Sequence, residues 1–158
     1  MRRKTKQLPV FVYGTLLEGF GNWQHFLKGK TKRVVTGELT GYKMYAVAGF
    51  PGIVPGYLID RVYGELMYVQ PDLYEDVLRD IDRLEGYRGP ELHKGFSESK
   101  KPKLSGPYHM YLRERVQVKD ECGNIVEAWT YIWNRVPRGP EIRNGCYDDF
   151  VKSQKYFA

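Results

Sequence analysis

The residue with the clearest chemical prospects is Glu85, in the stretch Asp80-Ile81-Asp82-Arg83-Leu84-Glu85-Gly86-Tyr87. Spacing of the apolar residues before it predicts a helix, and Glu85 falls in its last turn. A carboxylate there faces the negative end of the helix dipole, which disfavours the anion and raises its proton affinity. Partial burial adds to the same shift. A carboxyl group so tuned takes and gives a proton near neutrality. Asp82 lies one turn earlier, and its like charge raises one of the two further. Read locally, either residue also fits an acid on a solvated helix surface.

A second stretch is Val12-Tyr13-Gly14-Thr15-Leu16, at the end of a short apolar run. Gly14 permits a positive φ, or a close approach of a ligand to the backbone. Successive amides at a strand end converge on a carboxylate or a developing oxyanion. The plainer alternative is a tight turn that holds a core strand. Other common sites are missing. No glycine-rich loop ends in Gly-Lys-Ser/Thr, and Gly14 alone is no dinucleotide fingerprint. His25, His93 and His109 share no short spacing and read as structural or exposed residues rather than metal ligands. Ser97 stands three residues before Lys100, but in a charged loop rather than on a helix that would hold the pair. Cys122 and Cys146 lack metal-ligand spacing and read as free thiols in a reducing compartment.

The elements that must position these residues follow from periodicity. Val10 to Tyr13 predicts a buried strand that stops at Gly14. Trp23 to Leu27 predicts a short helical turn. Val34 to Leu39 and Tyr42 to Val47 predict strands joined near Gly41. Phe50-Pro51-Gly52 and Pro55-Gly56 read as rigid turns around Ile53 and Val54. Val62 to Val69 is another strand, and Pro71 is placed to begin a helix. In that helix Leu73, Val77, Ile81 and Leu84 form one stripe, widened by Tyr74 and Leu78. Gly86 occupies the position where a left-handed residue ends a helix. Residues 88–107 read as a long surface loop rich in Pro, Gly, Ser and Lys. Met110, Leu112, Val116 and Val118 mark one strand face, with Arg113, Arg115, Gln117 and Lys119 on the other. Asp120 to Asn124 turns the chain into a second strand, Ile125 to Trp133, which makes a hairpin. Tyr147 to Phe157 reads as a short helix or an edge strand. Five to seven strands with one main helix predict a small mixed sheet or barrel rather than a doubly wound sheet.

Size and charge bound the rest. The 158 residues suit one domain, read as a basic flexible tail over 1–8 and a single unit over 9–158. Tyrosines number 13 and favour a pocket supplied with hydroxyl groups. The formal net charge of +6 first suggests nucleic acid. Its excess lies in the N-terminal run and in Lys100-Lys101-Pro102-Lys103, without interleaved aromatic platforms, so solvated charge or a small anionic ligand is the preferred reading. The apolar run LPVFVYG is too short for a secretory core, and no run approaches a membrane-spanning length. A cytoplasmic protein is the expectation. No heptad or exposed apolar helix indicates an oligomeric state.

Taken together, the motifs resemble one family. Tyr13-Gly14-Thr15-Leu16, Gly41-Tyr42, Phe50-Pro51-Gly52, Gly64-Glu65-Leu66-Met67 and Leu84-Glu85-Gly86-Tyr87 come in order. Tyr111-Leu112-Arg113 and Ala128-Trp129-Thr130-Tyr131 follow. This set, over roughly residues 9–150, resembles the gamma-glutamylcyclotransferase-like family, in its gamma-glutamylamine cyclotransferase-like branch. The resemblance implies an α+β fold, a small mixed β-barrel with flanking helices. It implies release of 5-oxoproline from gamma-glutamyl amines or dipeptides by attack of the substrate's own α-amine, with no metal or organic cofactor. It makes Glu85 the general base and then acid, and Tyr13, Gly14, Thr15 and Leu16 the cradle for the glutamyl portion. Tyr87 and Tyr111 are further candidates to line the pocket. A non-catalytic small-molecule-binding module on the same barrel is the alternative. The long segment between Tyr87 and Tyr111 departs from the family pattern and is expected to act as a lid, to reshape the leaving-group side, or simply to face solvent.

Overall fold

A computed structural model describes residues 6–47, 49–87 and 110–155. Five strands close into a barrel: β1 (Val10–Val12), β2 (Thr31–Thr40), β5 (Arg61–Val69), β6 (Tyr111–Asp120) and β7 (Ile125–Trp133), in the order β1-β5-β2-β6-β7. All neighbours are antiparallel except β1 and β7, which close the barrel in parallel at Val10 and Trp129. A second sheet has β3 (Tyr42–Ala46) between β4 (Pro51–Pro55) and β8 (Glu141–Ile142). The helices are α1 (Gly21–Phe26), α2 (Tyr74–Leu84) and α3 (Tyr147–Lys155). The expected α+β barrel with flanking helices is therefore observed.

The run Val10-Phe11-Val12-Tyr13 is apolar throughout because both faces of the barrel wall are buried there. Phe11 and Tyr13 point with Val35, Leu39, Leu66, Val116, Val118, Ala128 and Ile132 into one core cluster. Val10 and Val12 join Met67, Val69, Tyr74, Val77 and Ile81 in a second cluster, formed where α2 covers the wall. Phe11 fits because Gly37 and Gly64 face each other across β2 and β5. A Cβ at Gly64 would lie 2.9 Å from the Phe11 Cζ, and one at Gly37 would lie 3.3 Å from its Cε1. Burying a ring of this size contributes about 2–3 kcal/mol.

Helix α2 presents Tyr74, Val77 and Ile81 to the wall, as its periodicity requires. The Tyr74 hydroxyl donates to the Leu8 carbonyl at 2.7 Å, and Leu8 itself is buried, at the end of the segment expected to be a tail. The helix ends in a Schellman arrangement. Tyr87 N–H donates to Asp82 O at 2.8 Å, Gly86 N–H to Arg83 O at 3.2 Å, and Gly86 has φ 69°.

Two local expectations need correction. Residues 51–55, read as turns, form strand β4, paired with β3 from Tyr42–Pro55 to Ala46–Pro51. Both prolines sit at the ends of an edge strand, where a missing N–H interrupts no ladder. On β6, alternation puts Arg113 on one face with Arg115, Gln117 and Lys119, opposite the apolar residues. The three later residues are exposed, but Arg113 is largely covered, with a side-chain exposure of 14%. Near the end of α2 the outer face of the barrel is roofed, so alternation no longer separates wet from dry. The C-terminal segment, left open between helix and strand, is the helix α3. The long segment over 88–107 lies outside the described residues, as do His93, His109, Ser97 and Lys100.

Candidate active site

The end of β1 and the end of α2 meet at a cavity of about 310 Å³. Tyr13, Gly14, Thr15 and Leu16 line it, and so do Glu85 and Tyr111. Residues about 70 positions apart in sequence thus share one wall, because α2 lies across β1 and β5 with its C-terminus beside the turn that follows β1. Tyr87 is placed differently. It is buried against α2, beneath the Arg113 guanidinium, whose carbon stands 5.4 Å from its ring centroid, and it is not among the cavity-lining residues.

The turn after β1 is closed by Leu17 N–H donating to Gly14 O at 3.0 Å. Among the described residues the amides of Thr15 and Leu16 take no acceptor, so they are available to an anion or a carbonyl oxygen. Glycine at position 14 has a steric cause beyond the two first considered. Gly14 does not have a positive φ. A Cβ there would stand 2.4 Å from Pro51 Cγ, so the glycine lets β4 close against β1. The Thr15 hydroxyl accepts from the Asn22 side chain at 2.8 Å, which holds its oxygen in place and leaves its own proton to donate.

Glu85 is the C-cap of α2, held by its amide to the Ile81 carbonyl at 2.9 Å. Burial raises its pKa from the ordinary 4.5 to about 7, with the nearby Asp82 charge adding to the rise. Desolvation is the larger of these two causes. Behind Glu85 lies a second layer. Tyr131 donates from its hydroxyl to Asp82 Oδ1 at 2.6 Å, and Arg113 Nη1 stands 3.4 Å from Asp82 Oδ2. The Arg113 guanidinium also lies 4.6 Å from the Trp129 ring centroid. It thus sits between two aromatic faces, Tyr87 and Trp129, an environment that favours a cation. Burial raises the Asp82 pKa, while Tyr131 and Arg113 oppose that rise.

Tyr13 and Tyr111 have committed their protons. Tyr13 donates to the Tyr131 carbonyl and Tyr111 to the Pro51 carbonyl, each at 2.7 Å. Burial pushes both phenols up, so both stay neutral. Toward the cavity their oxygens offer lone pairs, which suit a donor such as an amine. Asn22, Phe50, Pro51, Met110 and Tyr131 also line the cavity and were not anticipated as site residues. For Phe50 and Pro51 a signal existed, since the Phe-Pro-Gly motif was noted, but as a turn. Asn22 lies on a six-residue helix and carries no sequence signal. Cys122 is exposed and Cys146 half-buried, and both are free. Among the described residues no three His, Cys, Asp or Glu side chains gather as a metal site, and no helix is long and apolar enough to cross a membrane.

The chain is similar to known proteins in sequence and in fold. The chain is 30% identical over 148 residues to a Methanocaldococcus jannaschii protein provisionally named as a gamma-glutamylcyclotransferase, covering 89% of this chain and 96% of that one. It is 29% identical over 126 residues to the gamma-L-glutamyl-butirosin B gamma-glutamyl cyclotransferase of Niallia circulans, covering 80% and 67%. In fold it is similar to a solution structure from Arabidopsis thaliana, with a TM-score of 0.61 at 22% identity, covering 99% and 81%. The family model described as "Gamma-glutamyl cyclotransferase, AIG2-like" matches residues 10–149, which include the turn after β1, Glu85 and the barrel that joins them, and the chain belongs to that family.

Proposed function

We propose that this protein is a cyclotransferase that releases 5-oxoproline from gamma-glutamyl amines or dipeptides. The observation that carries the reading is the placement of Glu85, with its pKa raised to about 7, on the same cavity wall as the turn over residues 13–16. In the reaction the substrate's neutral α-amine attacks its own γ-carbonyl carbon. The ionised Glu85 takes the proton that the amine loses. The carbon–nitrogen bond to the leaving amine then breaks, and Glu85 returns the proton to that nitrogen. One carboxyl group serves both steps because its affinity is near neutral. Ring closure is intramolecular, so the site's task is to hold the substrate folded. The Thr15 and Leu16 amides face the substrate's anionic or carbonyl oxygens, and Tyr13 and Tyr111 accept from its amine. The cyclotransferase from Niallia circulans, by its name, acts on gamma-L-glutamyl-butirosin B, which supports a gamma-glutamyl compound as substrate.

The test is 5-oxoproline release from a panel of gamma-glutamyl amines and dipeptides, with Glu85→Gln in parallel. Release by the parent, reduced in the variant by about 10²–10⁴-fold, is the expected result. Full turnover by the variant removes Glu85 from the mechanism. No release by folded parent from any compound favours the non-catalytic binding module.

A further inference from the structure

A second depression adjoins the cavity. It is an open groove of about 480 Å³ lined by Ala46, Gly49, Phe50, Tyr147, Phe150, Val151 and Gln154. Four of these lie on α3 at positions i, i+3, i+4 and i+7, the spacing of a single helix face. These four residues carry no charge, while Asp148, Asp149 and Lys152 lie off their face, with Lys152 paired to Asp148 at 2.9 Å. The groove and the cavity share Gly49 and Phe50 as a common border. Gly49, with φ 72°, brings no side chain to that border. The Phe50 ring is fixed from behind by Tyr111 and Trp133, with centroids 6.3 and 6.1 Å away. Tyr147 is held by its hydroxyl, which donates to Gly49 O at 3.4 Å, and by the Phe20 ring at 6.0 Å.

We infer that this groove receives the leaving half of the substrate, and that the preferred leaving group is an amine with an uncharged apolar substituent, such as a linear alkyl or arylalkyl chain. The inference rests on the cyclotransferase reading and narrows it. A substrate whose glutamyl part fills the cavity projects its N-substituent across the Gly49–Phe50 border. There it meets Phe150, Val151 and Tyr147, which reward removal of methylenes from water and carry no charge to pair with an ammonium or carboxylate. A gamma-glutamyl dipeptide or a gamma-glutamyl lysine would place a charge on this face. An N-alkyl amide would not.

The test is kcat/KM for gamma-glutamyl methyl, propyl, hexyl and benzyl amides, with gamma-glutamyl glycine and gamma-glutamyl lysine for comparison. The expected result is a rise of about two- to fourfold per methylene over the alkyl series, with the charged pair below hexyl. Gln154→Glu and Val151→Asp should lower the hexyl-to-methyl ratio at least tenfold, while Lys152→Ala, on the other face of α3, should preserve it. A flat alkyl series in an enzyme that turns over the methyl amide overturns the inference and leaves the reaction standing. So does a preference for the charged compounds. A groove that docks a second copy of the chain instead gives a flat series together with a concentration-dependent mass in sedimentation. Calorimetric binding of the same amides to Glu85→Gln separates the two readings. Affinity that rises with chain length without turnover by the parent sustains the groove and refutes the reaction. Flat affinity refutes the groove.

Discussion

Glu85→Gln should make the folded protein more stable at neutral and alkaline pH, and the gain should vanish in acid. The folded state holds the Glu85 carboxyl at about 7 against an ordinary value of 4.5. Protonated Glu and Gln are close in shape, so parent and variant should be similar near pH 4. As pH rises above 4.5 the unfolded chain gives up this proton and the folded chain retains it. The parent therefore loses stability up to the folded pKa of about 7, and above it the loss is complete. At about 1.4 kcal/mol per pKa unit, the full loss is about 3 kcal/mol. For a chain of this size that corresponds to roughly 6–12 °C in Tm. The assay is urea unfolding of both proteins at pH values from 4 to 9. Glu65 and Asp82 also have raised pKa values through burial. The Glu65 slope occurs in both proteins and cancels in the difference, while the charge coupling of Asp82 to Glu85 is part of the effect measured. A parent–variant difference that stays constant from pH 4 to 9 refutes the reasoning, because it means that Glu85 does not pay for ionising in the folded state.

Other expected outcomes follow from the same geometry. In the parent, kcat/KM should rise with pH through about 7 as Glu85 ionises, and Asp82→Asn should move that rise to lower pH by removing the adjacent charge, as a pH–rate profile would show. The same variant leaves the covered Arg113 without its carboxylate and should cost about 3 kcal/mol in unfolding, less where Tyr87 and Trp129 retain the cation. Gly14→Ala drives a Cβ into Pro51 and should destabilise by about 1–3 kcal/mol, with an increase in KM as the turn over residues 14–17 shifts, measured by denaturation and steady-state kinetics. Phe11→Ala empties the space above Gly37 and Gly64 and should cost about 3–5 kcal/mol in urea denaturation.

Much of the fold was legible because local periodicity and tertiary burial agree over α2 and most of the barrel strands. The 3.6-residue stripe of α2 and the glycine that ends it placed Glu85 at a helix C-terminus without reference to any other part of the chain. The same residues were identified as a site by their order along the chain, through the family resemblance. Composition could not tell that β4 is a strand, since its prolines are tolerated only because it lies at an edge with one neighbour. Alternation along β6 failed at Arg113 because the roof over the barrel wall comes from α2 and Tyr87, elements distant in sequence.

The sequence by itself determined the types of residue that meet at the site: a carboxylate at a helix end, a short turn after an apolar strand, and tyrosines to spare. Only the tertiary structure decided which of them share the cavity. It set Tyr13 and Tyr111 on the cavity wall and Tyr87 behind it, although all three looked equivalent as aromatic residues beside motifs. It gave Gly14 its reason, the approach of Pro51, which no local rule contains. It also brought the uncharged stripe of α3 against the border at Gly49 and Phe50. The physical reason is the range of the interactions. Propensity, capping and the dipole act within a turn or a strand, whereas desolvation of Glu85 and the shape of the cavity depend on surfaces assembled from segments far apart along the chain.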